Sequence, residues 1–289
     1  MSTASTASTS RAFATARAEG RAALVGYLPA GYPDVDGAVE AITVMVENGC
    51  DVIEIGLPYS DPVMDGPTIQ AAAQQALEAG TRTTDVIRTV EKVAGLGVPT
   101  LVMTYWNPVE RYGVPRFAAD LASAGGAGLI TPDLTPDSAE EWIPAADDHD
   151  LDKVFLVAPS STDARLRYTI EHCRGFVYAT AVMGVTGART ASPDLAGPLV
   201  ARTRALTDLP VGVGLGVSNG DQAAEVASYA DAVIVGSAFV RVLLDAPDRG
   251  TGLQRLATLT ADLADGVRRA APGTEPITEP ITEPMKDTR

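Results

Sequence analysis

The sequence predicts a (β/α)8 barrel, the α/β fold also called a TIM barrel, on three observations. The chain has 289 residues, of which 46% are hydrophobic, and this suits one barrel of about 250 residues. Short apolar runs alternate with segments of helical periodicity, as in parallel sheets whose strands are joined by helices. Several runs are continuously hydrophobic, which is typical of strands covered on both faces. Since no Pro-, Gly- or Ser-rich linker interrupts the alternation, we expect one domain rather than two.

Eight strands are expected from the apolar runs. An open doubly wound sheet is the alternative fold, but a G-x-G-x-x-G motif is then expected after the first strand, and none stands there. The eight predicted strands are Ala23–Leu28, Val52–Ile55, Thr100–Thr104, Gly128–Ile130, Val154–Val157, Gly175–Ala179, Pro210–Gly214 and Ala232–Val235.

The helix after the first strand has the clearest pattern. From Asp34 to Glu47 the apolar residues recur at i, i+3, i+4 and i+7, with Asp34 as the N-cap and Gly49 near the C-terminal end. Further predicted helix signals are a short helix near Phe13–Glu19, a helix over Ile69–Ala79 capped by Thr68, and helix starts at Thr162-Asp163 and Ser218-Asn219.

Both ends of the chain differ from its centre. Residues 1–12 are rich in Ser, Thr and Ala without the apolar core of a secretory signal, and we expect a disordered extension there. From Glu275 the chain repeats E-P-I-T, and proline at every fourth position forbids a helix. The predicted division is therefore an extension at 1–12, one barrel domain at 13–270 and a disordered tail at 271–289.

Composition excludes several classes of function. Lys and Arg total 22 against 37 Asp and Glu, so the net charge of −15 disfavours nucleic acid and anionic lipid as partners. No apolar run reaches the 18 residues of a membrane span. The two cysteines, Cys50 and Cys173, have no metal-ligand spacing and suit free thiols in a reducing compartment. We expect a cytoplasmic protein without a metal.

Glu54 is an unusual residue for its position. It lies within the apolar run Val52–Ile55, near the C-terminal end of a strand, where barrel enzymes build their active sites. Partial desolvation at that end raises the pKa of a carboxyl group and suits it to general acid–base catalysis. From position alone, a structural glutamate paired to Lys or Arg is an equally good interpretation.

The loop after this strand carries two aspartates, Asp61 and Asp65, among three prolines. The prolines make the loop stiff, which suits a positioned carboxylate. Asp61 precedes a proline and is interpreted as a turn-former. Asp65 is the better candidate for function.

Glycine-rich segments follow the last three predicted strands, at Met183–Gly187, Gly214–Ser218 and Gly236–Ala238. Loops after the seventh and eighth strands of a barrel often bind phosphate together with the N-terminus of a short extra helix. That helix is predicted from Ser237 to about Leu243. The three segments together favour a phosphorylated substrate.

The sequence resembles the tryptophan synthase α subunit family from about Ala23 to Gly266. Several motifs match in the family's order, which is more specific than any one of them. They are GYLPAGYPD, EIGLPYSDPVMDGPTIQ, TYWNPVERYG, PDLTPDSAEEW, APSST, GVTGAR and VGLGVS.

The resemblance implies a fold, a reaction and two catalytic residues. The fold is a (β/α)8 barrel with an extra N-terminal helix. The reaction is the retro-aldol cleavage of indole-3-glycerol phosphate to indole and glyceraldehyde 3-phosphate. Glu54 matches the family's proton donor and acceptor, and Asp65 matches the aspartate that accepts the indole N–H.

Further matches imply a substrate pocket, a phosphate site and a partner contact. Asp133 matches a loop residue that communicates with the β subunit. Tyr27, Tyr178, Thr186 and Leu215 are the implied substrate-binding residues, and Gly187, Gly216, Gly236 and Ser237 the implied phosphate-binding residues.

The family resemblance also implies an α2β2 complex with a pyridoxal-phosphate-dependent β subunit and no cofactor in this chain. Two residues depart from the pattern: Val182 stands where many members have arginine, and Leu215 where many have phenylalanine. The departures bear on loop closure and on one wall of the indole pocket. A stand-alone indole-releasing lyase and a non-catalytic activating subunit are the alternatives.

Overall fold

The computed structural model describes residues 8–180, 193–214 and 216–270, and for 193 and 194 the backbone alone. Nine parallel strand segments are β1 (Ala23–Pro29), β2 (Val52–Gly56), β3 (Thr100–Met103), β4 (Gly128–Ile130), β5 (Asp152–Val154), β6 (Leu156–Val157), β7 (Val177–Thr180), β8 (Val211–Gly214) and β9 (Ala232–Val235).

Twelve α-helices and one 3-10 turn (Pro136–Ser138) surround the described strands. The helices are α1 (Thr9–Ala18), α2 (Val35–Glu47), α3 (Pro67–Glu78), α4 (Thr83–Ala94), α5 (Trp106–Tyr112), α6 (Val114–Ser123), α7 (Trp142–Asp148), α8 (Asp163–Glu171), α9 (Pro193–Arg204), α10 (Gly220–Ala227), α11 (Ser237–Leu244) and α12 (Arg249–Arg269).

The strands close into a barrel, as the sequence predicts. Their order is β5-β4-β3-β2-β1-β9-β8-β7-β6, and every pairing is parallel. The two end segments, β5 and β6, are consecutive in the chain and separated by Phe155 alone. They are the two halves of one barrel strand, so the sheet has no free edge and the open doubly wound alternative is wrong.

Apolar residues pack in two shells. An outer cluster fills the space between the strands and the ring of helices. A second cluster fills the barrel interior and includes Val25, Val52 and Phe176, together with Phe13 and Ala16 from α1. Helix α1 therefore covers the N-terminal end of the barrel and contributes to its interior packing.

The predicted helix near Phe13–Glu19 begins four residues earlier than expected. Ser8 is the N-cap of α1, and its hydroxyl accepts a hydrogen bond from the Ser10 N–H. Thr9 is completely buried against the barrel, so tertiary contact extends the helix beyond its apolar period. Residues 1–7 and 271–289 lie outside the described residues, and the predicted disorder of both ends stays a prediction.

Three of the four predicted helix caps are confirmed. The side chains of Asp34, Thr162 and Asn219 each accept a hydrogen bond from a backbone N–H in the first turn. The prediction for Thr68 was wrong. Helix α3 begins at Pro67 after Gly66, because proline is well suited to the first helical turn.

An ion pair fixes the start of the barrel. The guanidinium of Arg21 donates two hydrogen bonds to the Asp51 carboxylate, at 2.7 and 2.8 Å. The same carboxylate accepts the Leu24 N–H at 2.8 Å. Both side chains are largely buried, with exposed fractions of 9% and 18%. Asp51 directly precedes β2, so it connects that strand to the backbone of β1 at Leu24 and to Arg21 in the segment after α1.

No helix in the part of the chain that the structure describes is long and apolar enough to cross a bilayer. Both cysteines are free, and Cys50 is buried.

We expect Asp51→Ala to lower the free energy of unfolding by about 2–4 kcal/mol, because it leaves Arg21 partly buried without its main partner. Asp36→Ala is the matched control, since Asp36 forms an exposed ion pair with Lys92. Urea denaturation measures both, and equal losses would contradict the importance given to the Arg21–Asp51 pair.

Candidate functional site

Glu54 lies inside the barrel. Val52, two residues earlier on β2, belongs to the interior cluster, and side chains alternate along a strand. The Glu54 side chain is 0% exposed, and neither of its carboxyl oxygens has a hydrogen-bond partner among the described residues. The described residues therefore do not support the alternative of a structural Glu54 paired to Lys or Arg.

Burial changes the chemistry of this carboxyl group. Transfer from water disfavours the charged form, which raises the pKa of Glu54 to about 8. Near neutral pH the group is then mostly protonated and able to donate. An unpartnered acid with a pKa close to the working pH is well suited to move protons in both directions.

Two tyrosines lie close enough to the carboxyl group to feel its charge. Tyr27 lies beside Glu54 in the register of β1 and β2, and Tyr178 extends from β7. Burial raises the pKa of each phenol, and the negative charge of Glu54 raises both further. For Tyr27 the charge of Asp65 contributes as well. The two predicted substrate residues and the two carboxyl groups therefore lie in one region.

A glycine on the neighbouring strand makes room for Tyr178. A Cβ atom at Gly214 would come within 2.5 Å of the Tyr178 hydroxyl oxygen, closer than real side chains approach. Any larger residue would push the ring away. The glycines that end β8 therefore shape the pocket as well as the turn that follows.

Asp65 is held by a residue that the sequence reasoning did not single out. The Tyr105 hydroxyl donates to Asp65 Oδ1 at 3.2 Å and accepts the Met64 N–H at 2.9 Å. Burial raises the pKa of the Asp65 carboxyl, and the Tyr105 hydrogen bond lowers it. Tyr105 lies in the TYWNP motif directly after β3. A tyrosine just after a barrel strand, at the end where active sites form, was the signal in the sequence that could have identified it.

Asp61 does not join this group. Its side chain is exposed, and its contact is a hydrogen bond from the Ser60 hydroxyl at 2.6 Å. A local role in the loop agrees with the interpretation of Asp61 as a turn residue.

The glycine-rich end of the barrel meets the carboxyl groups at Tyr27. A Cβ atom at Gly236 would lie 3.2 Å from the Tyr27 ring. Gly236 is the N-cap of α11 and Ser237 its first residue, and no side chain in the described part of the chain caps that helix. Gly216, after β8, has a φ of +69°, a conformation that favours glycine. The start of α11 thus presents backbone N–H groups close to the pocket.

Four further residues named from the sequence, Val182, Thr186, Gly187 and Leu215, lie outside the described residues. Their predicted roles stay predictions.

Asp133 lies on the exposed rim after β4. Its carboxylate accepts the Trp106 N–H at 3.0 and 3.1 Å and so caps α5 from a neighbouring loop. A cavity of about 520 Å³ opens beside it, and its lining includes Met64, Pro132, Leu156 and Thr180. Neither Glu54 nor Asp65 lines this cavity, which reaches the catalytic loop at Met64, the residue before Asp65.

Comparison with known proteins agrees with this geometry. The family profile "Tryptophan synthase alpha chain" matches residues 13–268.

The chain belongs to the tryptophan synthase alpha chain family.

Known alpha chains align with this chain over nearly their whole length. The tryptophan synthase alpha chain of Salinispora arenicola (strain CNS-205) is 64% identical over 260 residues, which covers 90% of this chain and 97% of the relative. That of Nocardia farcinica (strain IFM 10152) is 60% identical, with 89% and 95% covered.

Solved structures of the family share the fold. A tryptophan synthase structure from Mycobacterium tuberculosis has a TM-score of 0.83 at 57% identity and covers 90% of this chain and 98% of its own. The subunit alpha from Legionella pneumophila str. Paris has a TM-score of 0.82 at 28% identity, with 90% and 97% covered. The barrel thus persists while most of the sequence changes.

Membership fixes the reaction. The chain is an indole-3-glycerol-phosphate lyase of tryptophan biosynthesis, and the alpha chain carries no cofactor, since pyridoxal phosphate belongs to the beta chain. Across the described ranges, no group of three or more His, Cys, Asp or Glu side chains is arranged to hold a metal ion.

We expect Glu54→Gln to stabilise the fold increasingly as the pH rises. The native carboxyl keeps its proton to about pH 8, whereas the unfolded chain releases it near the ordinary value of 4.5. The native state therefore loses stability between these values, by an amount on the order of 4 kcal/mol that glutamine avoids.

Urea denaturation at pH 5 and pH 9 measures this difference. The exposed Glu91→Gln is the control and is expected to follow the wild type at both pH values. If the gain from Glu54→Gln is the same at pH 5 and pH 9, Glu54 is not the buried neutral acid described above.

Proposed function

We propose that Glu54 is the proton carrier of the lyase reaction and that Asp65 stabilises the charge that develops on the indole ring. The supporting observation is the completely buried Glu54 carboxyl, which has no hydrogen-bond partner among the described residues and whose region also holds Asp65, Tyr27 and Tyr178. A carboxyl group without a structural partner in the apolar barrel interior needs a functional reason to be kept.

The first step is protonation of the substrate. The neutral Glu54 carboxyl donates its proton to C3 of indole, and the ring becomes a cation with its charge centred on N1. A pKa of about 8 keeps enough acid present at neutral pH for this transfer.

The second step breaks the carbon–carbon bond. The Glu54 carboxylate takes the proton of the hydroxyl group on the carbon attached to C3, and that carbon becomes the aldehyde of glyceraldehyde 3-phosphate. The electron pair of the broken bond returns to the ring, which neutralises the cation and releases indole. Glu54 ends the cycle protonated, so no other acid or base is consumed.

Asp65 supports the step between these two events. Its carboxylate accepts the N1–H and lowers the energy of the cation most when the ring is fully charged. The hydrogen bond from Tyr105 and the prolines of its loop hold this carboxylate in place before substrate binds. The apolar surroundings strengthen the interaction because little water screens it.

The phosphate of the substrate would bind at the start of α11. No described side chain caps the backbone N–H groups at Gly236 and Ser237, and a helix N-terminus favours an anion. Gly216 and Gly187 belong to the same proposed site. Tyr27 lies between this end and Glu54, so a substrate spanning the two ends would pass over its ring.

We also infer a partner and a location. Similar solved structures are of tryptophan synthase, which suggests that this chain works with a pyridoxal-phosphate-dependent beta chain in an α2β2 complex. The exposed Val63 and Asp133 lie on the catalytic rim and suit a contact with that partner. Two free cysteines and the acidic surface agree with a cytoplasmic enzyme that does not bind nucleic acid.

We expect Glu54→Gln to lower kcat for indole formation by about three orders of magnitude or more, with little change in substrate binding. In the wild type, kcat/KM should fall as the pH rises through about 8, because the required acid is lost. The exposed Glu78→Gln is the control and should keep the wild-type rate.

Assays with and without the beta chain separate an activated subunit from a stand-alone lyase. A Glu54→Gln variant that works at the wild-type rate in both assays would remove Glu54 from the mechanism.

We expect Tyr105→Phe to move the acid limb of the pH profile to higher pH. Loss of the hydroxyl removes the hydrogen bond that favours ionised Asp65, so the pKa of Asp65 rises and its carboxylate is lost sooner on acidification. Tyr112→Phe is the matched control, since that hydroxyl donates to Asp120 on the outer layer. Equal acid limbs in the two variants would contradict a role for Tyr105 in holding Asp65.

A further inference from the structure

We propose that helix α1 helps to position the Glu54 carboxyl group. Phe13 and Phe176 are the positioning residues, and they act through Tyr178. This goes beyond closing the barrel, and it rests on the proposed role of Glu54. Phe13 and Phe176 are not assigned to substrate binding or to the chemistry, whereas Tyr178 is also a predicted substrate-binding residue.

The three rings form a column through the barrel interior. The centroids of Phe13 and Phe176 are 5.3 Å apart, and those of Phe176 and Tyr178 are 6.3 Å apart. Both distances are within the range of direct aromatic packing. Phe13 and Phe176 are almost completely buried, at 4% and 0% exposed. The column therefore connects the N-terminal face of the barrel to the residue beside the catalytic carboxyl.

The lower end of the column is firmly anchored. The Thr9 N–H and hydroxyl donate to the buried Asp152 carboxylate at 3.0 and 2.6 Å. These two bonds tie the first turn of α1 to the first residue of β5, three residues before Phe155 in the chain. At the other end of the helix, Arg21 is bound to Asp51. The position of Phe13 is thus fixed from both sides.

The upper end of the column is Tyr178. Its hydroxyl lies so close to Gly214 that a Cβ atom there would come within 2.5 Å of the hydroxyl oxygen. Phe176 packs against the same ring from the N-terminal side of the barrel. A smaller side chain at position 13 or 176 would leave a void that the Tyr178 ring can enter.

Movement of Tyr178 has a predictable effect on Glu54. Among the described residues, the ionisable groups that interact with this carboxyl are Tyr27 on β1 and Tyr178 on β7, and Asp65 in the loop after β2 interacts with the same Tyr27. If Tyr178 shifts, water gains access to the carboxyl group, and the pKa of Glu54 falls toward its ordinary value. Fewer molecules then carry the proton at neutral pH, and the group is less precisely placed.

The test compares Phe13→Leu and Phe176→Leu with Phe117→Leu. Phe117 is equally buried but belongs to the outer shell, so its replacement loses similar packing without touching the column. Thermal unfolding first establishes that each variant is folded at the assay temperature. If Phe13→Leu does not fold, Phe13→Met takes its place. The readouts are kcat, KM and the alkaline limb of the pH profile for indole formation, with saturating beta chain.

We expect Phe176→Leu to lower kcat at least about fivefold and Phe13→Leu to lower it less, with any rise in KM smaller than the fall in kcat, since Tyr178 is also a predicted substrate-binding residue. In both, the alkaline limb should move to lower pH, whereas Phe117→Leu loses stability but keeps the wild-type kcat and limb. The proposal is overturned if all three variants lose similar stability and keep the wild-type profile. Glu54→Gln is assayed beside them: if it stays active, the proposed function fails, and if it is inactive while the column variants resemble Phe117→Leu, the column alone fails.

Discussion

The removal of the Glu54 carboxyl group from water is the constraint around which this structure is organised. An ionised carboxylate in the barrel interior is very unfavourable, and here no cation or hydrogen-bond donor among the described residues compensates it. The group responds by keeping its proton, and its pKa rises to about 8. A buried carboxyl group that would destabilise an ordinary core is here an acid available at neutral pH. The lyase reaction needs such an acid, because carbon accepts a proton less readily than oxygen or nitrogen.

Aspartates at the two ends of the barrel have different roles because their surroundings differ. At the C-terminal rim, Asp65 is half-buried and has one hydrogen bond from a side chain, from Tyr105, so its charge is available to a ligand. At the opposite rim, Asp51 and Asp152 are saturated by Arg21 and by Thr9, and their charge is used within the fold. This division agrees with the rule that barrel enzymes place chemistry at one face and stability at the other. The aromatic column from Phe13 to Tyr178 is the proposed exception, since it would let the stabilising face influence the catalytic one.

Much of the fold was predictable because it follows from patterns of short range. Eight apolar runs gave eight barrel strands, and Asp34 caps its helix as its position before the periodic segment indicates. The misses have tertiary causes. Helix α1 starts at Thr9 because Asp152, distant in sequence, binds its first turn. The fifth strand begins at Asp152 and is interrupted at Phe155, which hydropathy alone does not reveal. In the site, the burial of Glu54 was predictable from its strand, but the role of Tyr105 needed the contact between two loops that lie 40 residues apart.

The protonation state of Glu54 is the central claim and can be observed directly. Infrared spectroscopy of the folded enzyme, compared with Glu54→Gln, isolates the C=O stretching band of the neutral carboxyl at position 54. The account predicts that this band is present at pH 6.5 and disappears as the pH rises through about 8. A difference spectrum with no such band at pH 6.5 would mean that Glu54 is already ionised, and would contradict the account.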